Sequence, residues 1–284
     1  MLSYVNMEES LKFLRQICDV LFAIQNDQED ERIQFLVYES LLRIVGYVMD
    51  KRIFGKLKTS TMDEYIRKYF KFDNVHYWLL DCLEICIDNH VDLAFNSNLK
   101  DSMKSLDYIF FFARCSFKNF EENHRDDPPE EIALNLSNFK SRVQTALVKI
   151  NRLMCETEPK NISFVQEIAL KHISSFWDSF VGVLTGEELG NAAKDFLDGI
   201  CKSRDIRERE HWTKVKLTMI GKISKGQPFI QEESRRIILP KLMEELQYHL
   251  DRGIEEQIDS ILILSNMLDI LQAKVKKVRF DVLS

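Results

Sequence analysis

Three features of this sequence predict an all-α fold, an irregular helix-pair solenoid of the armadillo, HEAT or tetratricopeptide (TPR) superhelix kind. Apolar residues recur at three- and four-residue spacing along most of its 284 residues. Glycine and proline are scarce, at nine and five, where all-β folds need many turns. No run of period-two strands and no strand–helix alternation occurs. The pattern is organised around Gln231 to Gln272, which reads as two amphipathic helices joined by a tight turn. In the first, Ile238, Leu242, Leu246 and Leu250 form one stripe, and Arg235, Arg236, Lys241, Glu244 and Glu245 fill the other face. Gly253 is expected to end it in a positive-φ conformation. In the second, Ile254, Ile258, Ile261, Leu262, Leu268, Leu271 and Val275 are apolar. So short a turn makes the two antiparallel. One pair cannot hide both apolar faces, so it needs neighbours.

The chain N-terminal to this pair supplies them. A helix is predicted from about Met7 to Gln25, with Asn6 and Glu9 as a capping box and Leu14, Ile17, Leu21 and Ile24 as its stripe. The acidic segment Asn26–Glu31 connects it to a helix over Arg32–Val48, with Leu36, Val37, Leu41, Ile44, Val45 and Val48 inward. Lys51–Lys58 is a basic joint containing Gly55. Thr61 and Glu64 offer a second capping box for a short helix through Tyr65, Ile66, Tyr69 and Phe70. Asp73 or Asn74 caps a helix to Asn89, and Asn98 caps one running through Met103, Leu106, Ile109, Phe110 and Phe117. The run Ile109–Phe112 is apolar nearly all round, as in a helix packed on several sides.

Glu121–Glu131 is the clearest loop. Pro128 and Pro129 suit a first turn, and Glu130 and Glu131 favour the positive end of the helix dipole. A long helix to about Met154 uses Ile132, Leu136, Phe139, Val143, Leu147 and Ile150. Beyond the joint at Glu156–Asn161, Ser163 and Gln166 cap a helix carrying Ile168, Ile173, Phe176, Phe180 and Val183. Thr185 and Glu188 form a further box before Asn191–Cys201, Asp205 caps a helix to Ile223, and Gly226 with Pro228 breaks the chain. This gives about ten or eleven helices in units of roughly 40 to 50 residues, the range of helix-pair repeats. The repeats are irregular in sequence. The chain, residues 1–284, reads as one helical-repeat region with sub-blocks 1–120 and 128–284 on either side of the acidic loop.

A formal net charge of −6 argues against general nucleic-acid binding, which needs a strongly basic face. The six cysteines lie scattered along apolar stripes, as free thiols in a reducing compartment do. The N-terminus lacks the basic segment of a signal peptide, and no apolar run approaches the roughly 20 residues that span a bilayer. A cytoplasmic chain without a transmembrane segment is expected.

Residues that carry chemistry elsewhere are present here in patterns that do not assemble it. Cys82, Cys86 and His90 share a helix face, but the outer two are about 12 Å apart by helical rise, too far for one tetrahedral ion. The six histidines are dispersed, and none neighbours a nucleophile in a catalytic motif. GKLKTST at Gly55 lacks the spaced glycines of a phosphate loop. Glu121–Glu122, Asp126–Asp127 and Glu130–Glu131 read as a solvated acidic loop rather than a catalytic pair. No catalytic residue, cofactor or metal is therefore expected. The one charged stretch with a functional reading is Lys202–Lys225. Its Arg204, Arg207, Arg209, Lys214, Lys216, Lys222 and Lys225 form a candidate face for an acidic protein or an anionic lipid surface, diluted by Glu208 and Glu210.

The segments IILPKLMEELQYHLDR and LILSNMLDIL, within Ile237–Leu271, resemble the middle helical region of the dedicator-of-cytokinesis family. LVYESLLRIVGYVMDKRIFGK (Leu36–Lys56) and MDEYIRKYF (Met62–Phe70) are similar to earlier helices of that region, and SLDYIFFFARCSFKNF (Ser105–Phe120) is similar in character. The family comprises guanine-nucleotide exchange factors for Rac- and Cdc42-type GTPases. The Rac-directed members that pair with engulfment-and-motility adaptors look closest. The resemblance implies a non-catalytic helical-repeat scaffold, the C2-like and exchange domains lying outside this stretch. GTPase and adaptor would then be partners of the parent rather than of this region. Plasma-membrane recruitment would run through domains absent here, and self-association is a further expectation. The rival reading is a free-standing adaptor that binds a protein partner in its groove. An enzyme is the remaining class, and no converging titratable groups support it.

Overall fold

The computed structural model describes residues 12–27, 29–49, 59–159, 162–200 and 206–283, with the side chains of 59–60, 206–211 and 274–283 outside the description. The expected caps Asn6 with Glu9 and Asp205, and the joint at Gly55, lie outside the described residues. The helices are α1 (Leu14–Asp27), α2 (Glu31–Met49), α3 (Thr59–Lys68), α4 (Val75–Asp88), α5 (Asn96–Lys104), α6 (Leu106–Asn123), α7 (Pro129–Cys155), α8 (Ile162–His172), α9 (Ser174–Ser179), α10 (Gly186–Gly199), α11 (Ile206–Ile223), α12 (Gln227–Ile230), α13 (Glu232–Leu250) and α14 (Ile254–Leu283). Among the described residues there is no strand, only an isolated bridge between Val181 and Leu184. Gly182, at φ 85°, makes the turn between them. The all-α fold is as the spacing predicts.

Two compact units divide the chain, Met1–Ile150 with Thr157–His172, and Asn151–Glu156 with Ile173–Ser284. The expected division into 1–120 and 128–284 does not coincide with them, because the acidic loop before Pro129 lies inside the first unit.

In the first unit, α1 packs on α2, α4 on α6, and α5 on α8. Its core is aromatic. The Phe22 ring lies 5.0 Å from Phe70 and 5.2 Å from Phe112, edge-on or tilted as ring quadrupoles prefer. A second cluster stacks Phe139 of α7 on Phe117 of α6 at 4.2 Å, with His76 edge-on to Phe139. Tyr38 and Ser102 satisfy each other in the interior at 3.0 Å. Lys149 ties α7 to α4 through Glu84 (2.8 Å) and Asp88 (2.6 Å).

Several stripes are rotated from expectation. α1 buries Leu14, Cys18, Phe22 and Gln25, and Ile24 is exposed. Leu36 of α2 is also exposed, while Tyr38 and Leu42 face inward. The aromatic ring of Phe22 sets this roll by seating among Phe70, Phe72, Trp78 and Phe112. Thr61 lies inside α3, and Asn98 lies inside α5, where its amide donates to Glu39 at 2.6 Å. The single helix expected over Asn98–Phe117 breaks at Ser105, and the one from Ser163 breaks at Ile173.

The second unit is built on α10 against α13. A Cβ on Gly190 would stand 2.9 Å from the Ser234 backbone, and one on Gly186 would reach Glu233. Farther along, Asp198 of α10 meets Lys241 of α13 at 2.8 Å. Contacts advance in the same direction on both helices, so they run parallel, as corresponding helices of successive repeats do. The expected box at Thr185 and Glu188 is present, with reciprocal bonds of 2.8 and 3.2 Å. Trp177 and Phe196 fill the layer beneath, 5.9 Å apart.

Gly253 does not have the expected positive φ. α13 ends at Leu250 with Asp251 as its cap, and the Gly253 carbonyl instead accepts from Gln257 at 3.1 Å, at the start of α14. The turn is held by the Gln257 side chain, which donates to the Leu250 and Arg252 carbonyls at 2.9 and 3.0 Å. The apolar residues read as the inner face of the last helix point away: Ile254, Ile258, Ile261, Leu262 and Leu268 are exposed, while Ser260, Ile263 and Met267 are buried.

Two predictions follow from this packing. Gly190→Ala would gain up to about 1 kcal/mol of helix propensity, but its methyl meets immovable backbone. A net loss of about 1–3 kcal/mol is expected in urea unfolding, with a smaller loss for Gly186→Ala, whose nearest neighbour is a side-chain oxygen. The second concerns His76, which burial pushes down to about 4, with Asp73 acting in the opposite sense. The unfolded chain then binds one more proton than the folded one between roughly pH 6.5 and 4. Stability from this group is full above that window and falls on acidification by up to about 1.4 kcal/mol per pH unit. His76→Gln is expected to flatten the pH dependence of unfolding across the window; an unchanged slope would contradict the burial argument.

Candidate functional site

The residues of the expected partner face do not share one environment. Arg204 and the side chains of Arg207 and Arg209 lie outside the described residues. Lys214 and Lys222 are exposed two helical turns apart on α11, and Lys225 is exposed just past its end. Lys222 donates to Ser174 at 3.1 Å. Lys214 and Leu217 line one side of a cleft of about 500 Å³, with Ile254, Glu255, Glu256 and Asp259 of α14 on the other. Acidic residues thus stand opposite the exposed lysine.

Lys216 is a correction. It lies on the opposite side of α11 from Lys214, in phase with Trp212 and Ile220, and is 4% exposed. Its ammonium is paired with Glu245 of α13, which is fully buried and had read as part of the polar face. Around this pair the second unit holds a chain of charges. Lys241 reaches Asp198 at 2.8 Å, Glu244 at 3.2 Å and Glu245 at 3.3 Å, and Lys194 reaches Asp198 at 3.0 Å. His249, one turn after Glu245, bonds through Nδ1 to Glu256 of α14 at 2.7 Å. The ion pairs join α10, α11 and α13, and the adjoining His249–Glu256 bond ties α13 to α14.

The electrostatics follow from this arrangement. Burial works against the charged form of Asp198, but Lys241 and Lys194 overcome it and hold the carboxyl below its ordinary value. Burial likewise opposes charge on Lys241, and its carboxylate partners raise it instead. For His249, burial outweighs the Glu256 bond and, with Lys216 nearby, lowers its pKa, favouring the neutral ring. The charged groups are held by one another, and the network's chemistry is structural: it fixes the register of four helices.

Other residues weighed in the sequence are dispersed. Cys82 and Cys86 are buried in α4, where burial pushes both thiols up, Cys86 to about 11. His90 turns back to the Ile87 carbonyl at 3.0 Å. Among the described residues no group of three His, Cys, Asp or Glu side chains is placed to hold a metal, and no helix is long and apolar enough to cross a membrane. His76 and Ser116 form a buried pair at 3.1 Å, with the Val75 amide donating to the Ser116 hydroxyl at the same distance. The hydroxyl is thereby committed to holding the start of α4 on α6.

The family model for the dedicator of cytokinesis (DOCK) TPR region matches residues 1–283. The chain belongs to the dedicator-of-cytokinesis family. It is 26% identical over 278 residues to dedicator of cytokinesis protein 3 of Mus musculus and of Homo sapiens, covering 97% of this chain and 13% of theirs. It is 24% identical over 277 residues to dedicator of cytokinesis protein 4 of Mus musculus, covering 95% of this chain and again 13% of that protein. The dedicator-of-cytokinesis match thus accounts for residues 1–283 as the family's helical region. The exchange domain is not part of this chain.

The buried pair gives a direct test of the network. Lys216→Met leaves Glu245 in the interior with Lys241 alone to compensate it, and a loss of up to about 3 kcal/mol is expected, below the cost of a buried charge with no partner at all. Replacing both, Lys216→Met with Glu245→Leu, is expected to restore most of that loss in urea unfolding. Equal losses in the single and double variants would contradict the pairing.

Proposed function

We propose that this chain is a non-catalytic helical scaffold of an exchange factor for Rac-type GTPases, holding membrane-binding and exchange domains of a longer protein in fixed relation. The observation that carries this reading is the match of the family's helical-region model along residues 1–283. The ion-paired charges of the second unit support it, since they lock helices together. The GTPase, an engulfment-and-motility adaptor and recruitment to the plasma membrane belong to this reading as properties of the parent. The chain alone is expected to leave GDP release from a Rac-type GTPase at its intrinsic rate in a fluorescent-nucleotide assay. Clear acceleration would overturn the claim that the region is non-catalytic.

A second reading, an adaptor for an acidic protein, is supported by Lys214, Lys222 and Lys225 on the exposed side of α11 and its end. It needs a complex that weakens with salt and with reversal of these three charges. Of the expected face, Lys216 takes no part in that surface.

A further inference from the structure

A cleft of about 470 Å³ opens on the first unit between the turn after α4 and the first turns of α5 and α8. Leu93, Asn96, Ser97, Lys100, Phe164 and Val165 line it. Leu93 and Phe164 are 87 and 51% exposed. Apolar side chains grouped around a cleft, unlike those scattered singly, mark a surface that something covers. The fold holds this cleft in shape. Between α4 and α5, the Asp92 amide donates to the Asn89 carbonyl and the Phe95 amide to the Asp92 carbonyl, each at 3.0 Å. The Asp92 carboxylate accepts from the Ala94 amide at 2.8 Å, and the Phe95 ring packs 5.6 Å from Phe35. Leu93 is thereby fixed in an outward position. On the other side α8 packs on α5 with Leu99 and Val165 buried. Their neighbours Lys100 and Phe164 meet at the surface, the ammonium 5.3 Å from the ring centre. A wall fixed in advance loses little freedom when it is covered.

The polar groups of the cleft select its occupant. Among the described residues, the side chains of Asn96, Ser97 and Lys100 have no hydrogen-bond or ion-pair partner, whereas Asn98 is committed to Glu39. Nearby acids are engaged elsewhere, Asp92 with the Ala94 amide and Glu167 with Lys171. Asp101 is half-buried, with Lys104 and Arg43 near it as well as Lys100, and does not line the cleft. The cleft thus offers apolar walls, one cation and two neutral hydrogen-bonding groups. Its complement is an apolar side chain with a carboxylate beside it. A basic segment would be repelled by Lys100, and a purely apolar one would leave the ammonium unpaired. A membrane surface would meet the tip of Leu93 without filling the concavity, which favours a polypeptide. We propose that this cleft docks a short segment of a partner protein, seating an apolar side chain between Leu93 and Phe164 and a carboxylate at Lys100. The inference rests on neither reading given above and concerns the first unit alone.

The experiment selects short random peptides, displayed on phage, against the full 284-residue chain. Enriched peptides are expected to carry an apolar residue within two positions of Asp or Glu. The best of them, labelled, is then titrated by fluorescence anisotropy. Lys100→Glu is expected to weaken it about tenfold or more, as loss of a charge pair does, and Lys100→Arg to retain it. Leu93→Ser with Phe164→Ser is expected to weaken it similarly, with helical circular dichroism unchanged because both positions are exposed. Lys214→Glu, in the second unit, is expected to leave it unaffected, which separates this site from the charged face of α11. No enrichment, enrichment without acids, or binding that survives both Lys100→Glu and the Leu93 and Phe164 pair would overturn the proposal. So would cosedimentation with phosphatidylserine vesicles that depends on Leu93 and Phe164 while no peptide binds, which would assign the patch to a lipid surface.

Discussion

The absence of a side chain at Gly190 lets two helix backbones meet, and the second unit depends on that approach. With α10 seated on α13 at Ser234, the parallel run of the two helices brings Asp198 beside Lys241 two turns farther on. Lys241 in turn neighbours Glu245, and Glu245 reaches across to Lys216 of α11. The histidine one turn beyond closes onto the start of α14 through Glu256. A close backbone contact thus sets the register, and the ion pairs hold it. Charges confined between helices stabilise little in themselves, because their desolvation offsets most of the attraction. They do penalise any register that separates them.

The first unit is held by different means. Its centre is a set of aromatic rings from α1, α4 and α6, with Phe70 and Phe72 from the segment after α3, packed edge-on or tilted. Two buried polar pairs accompany the rings, Tyr38 with Ser102 and His76 with Ser116.

Much of this was legible in the sequence. Helical periodicity gave the class of fold, Pro129 with two acids marked the start of α7, and Thr185 with Glu188 formed the box it appeared to form. Which face of a helix turns inward was less so. α1 rolls so that Phe22, rather than Ile24, is buried, a choice made by rings distant in sequence. On α13, Glu245 and His249 sit in phase with Ile238 and Leu242, and on α11 Lys216 is in phase with Trp212 and Ile220. That phase was the available signal for buried charge. Reading by residue type assigned Lys216 and Glu245 to the surface, because a lysine and a glutamate are buried only when each has the other. Pairing across 29 residues between helices is not a local property. The outward stripe of α14 misled in the opposite sense: apolar spacing shows that a face is to be covered and does not say by what.

The central claim is that this helical region works as the scaffold of a longer exchange factor. Sequencing the full-length transcript, with the genomic DNA on both sides, tests it most directly. The account predicts one reading frame continuing into a C2-like domain on one side and an exchange domain on the other. Stop codons closing the frame at both ends of a stable message would contradict it, and would leave the chain an adaptor in its own right.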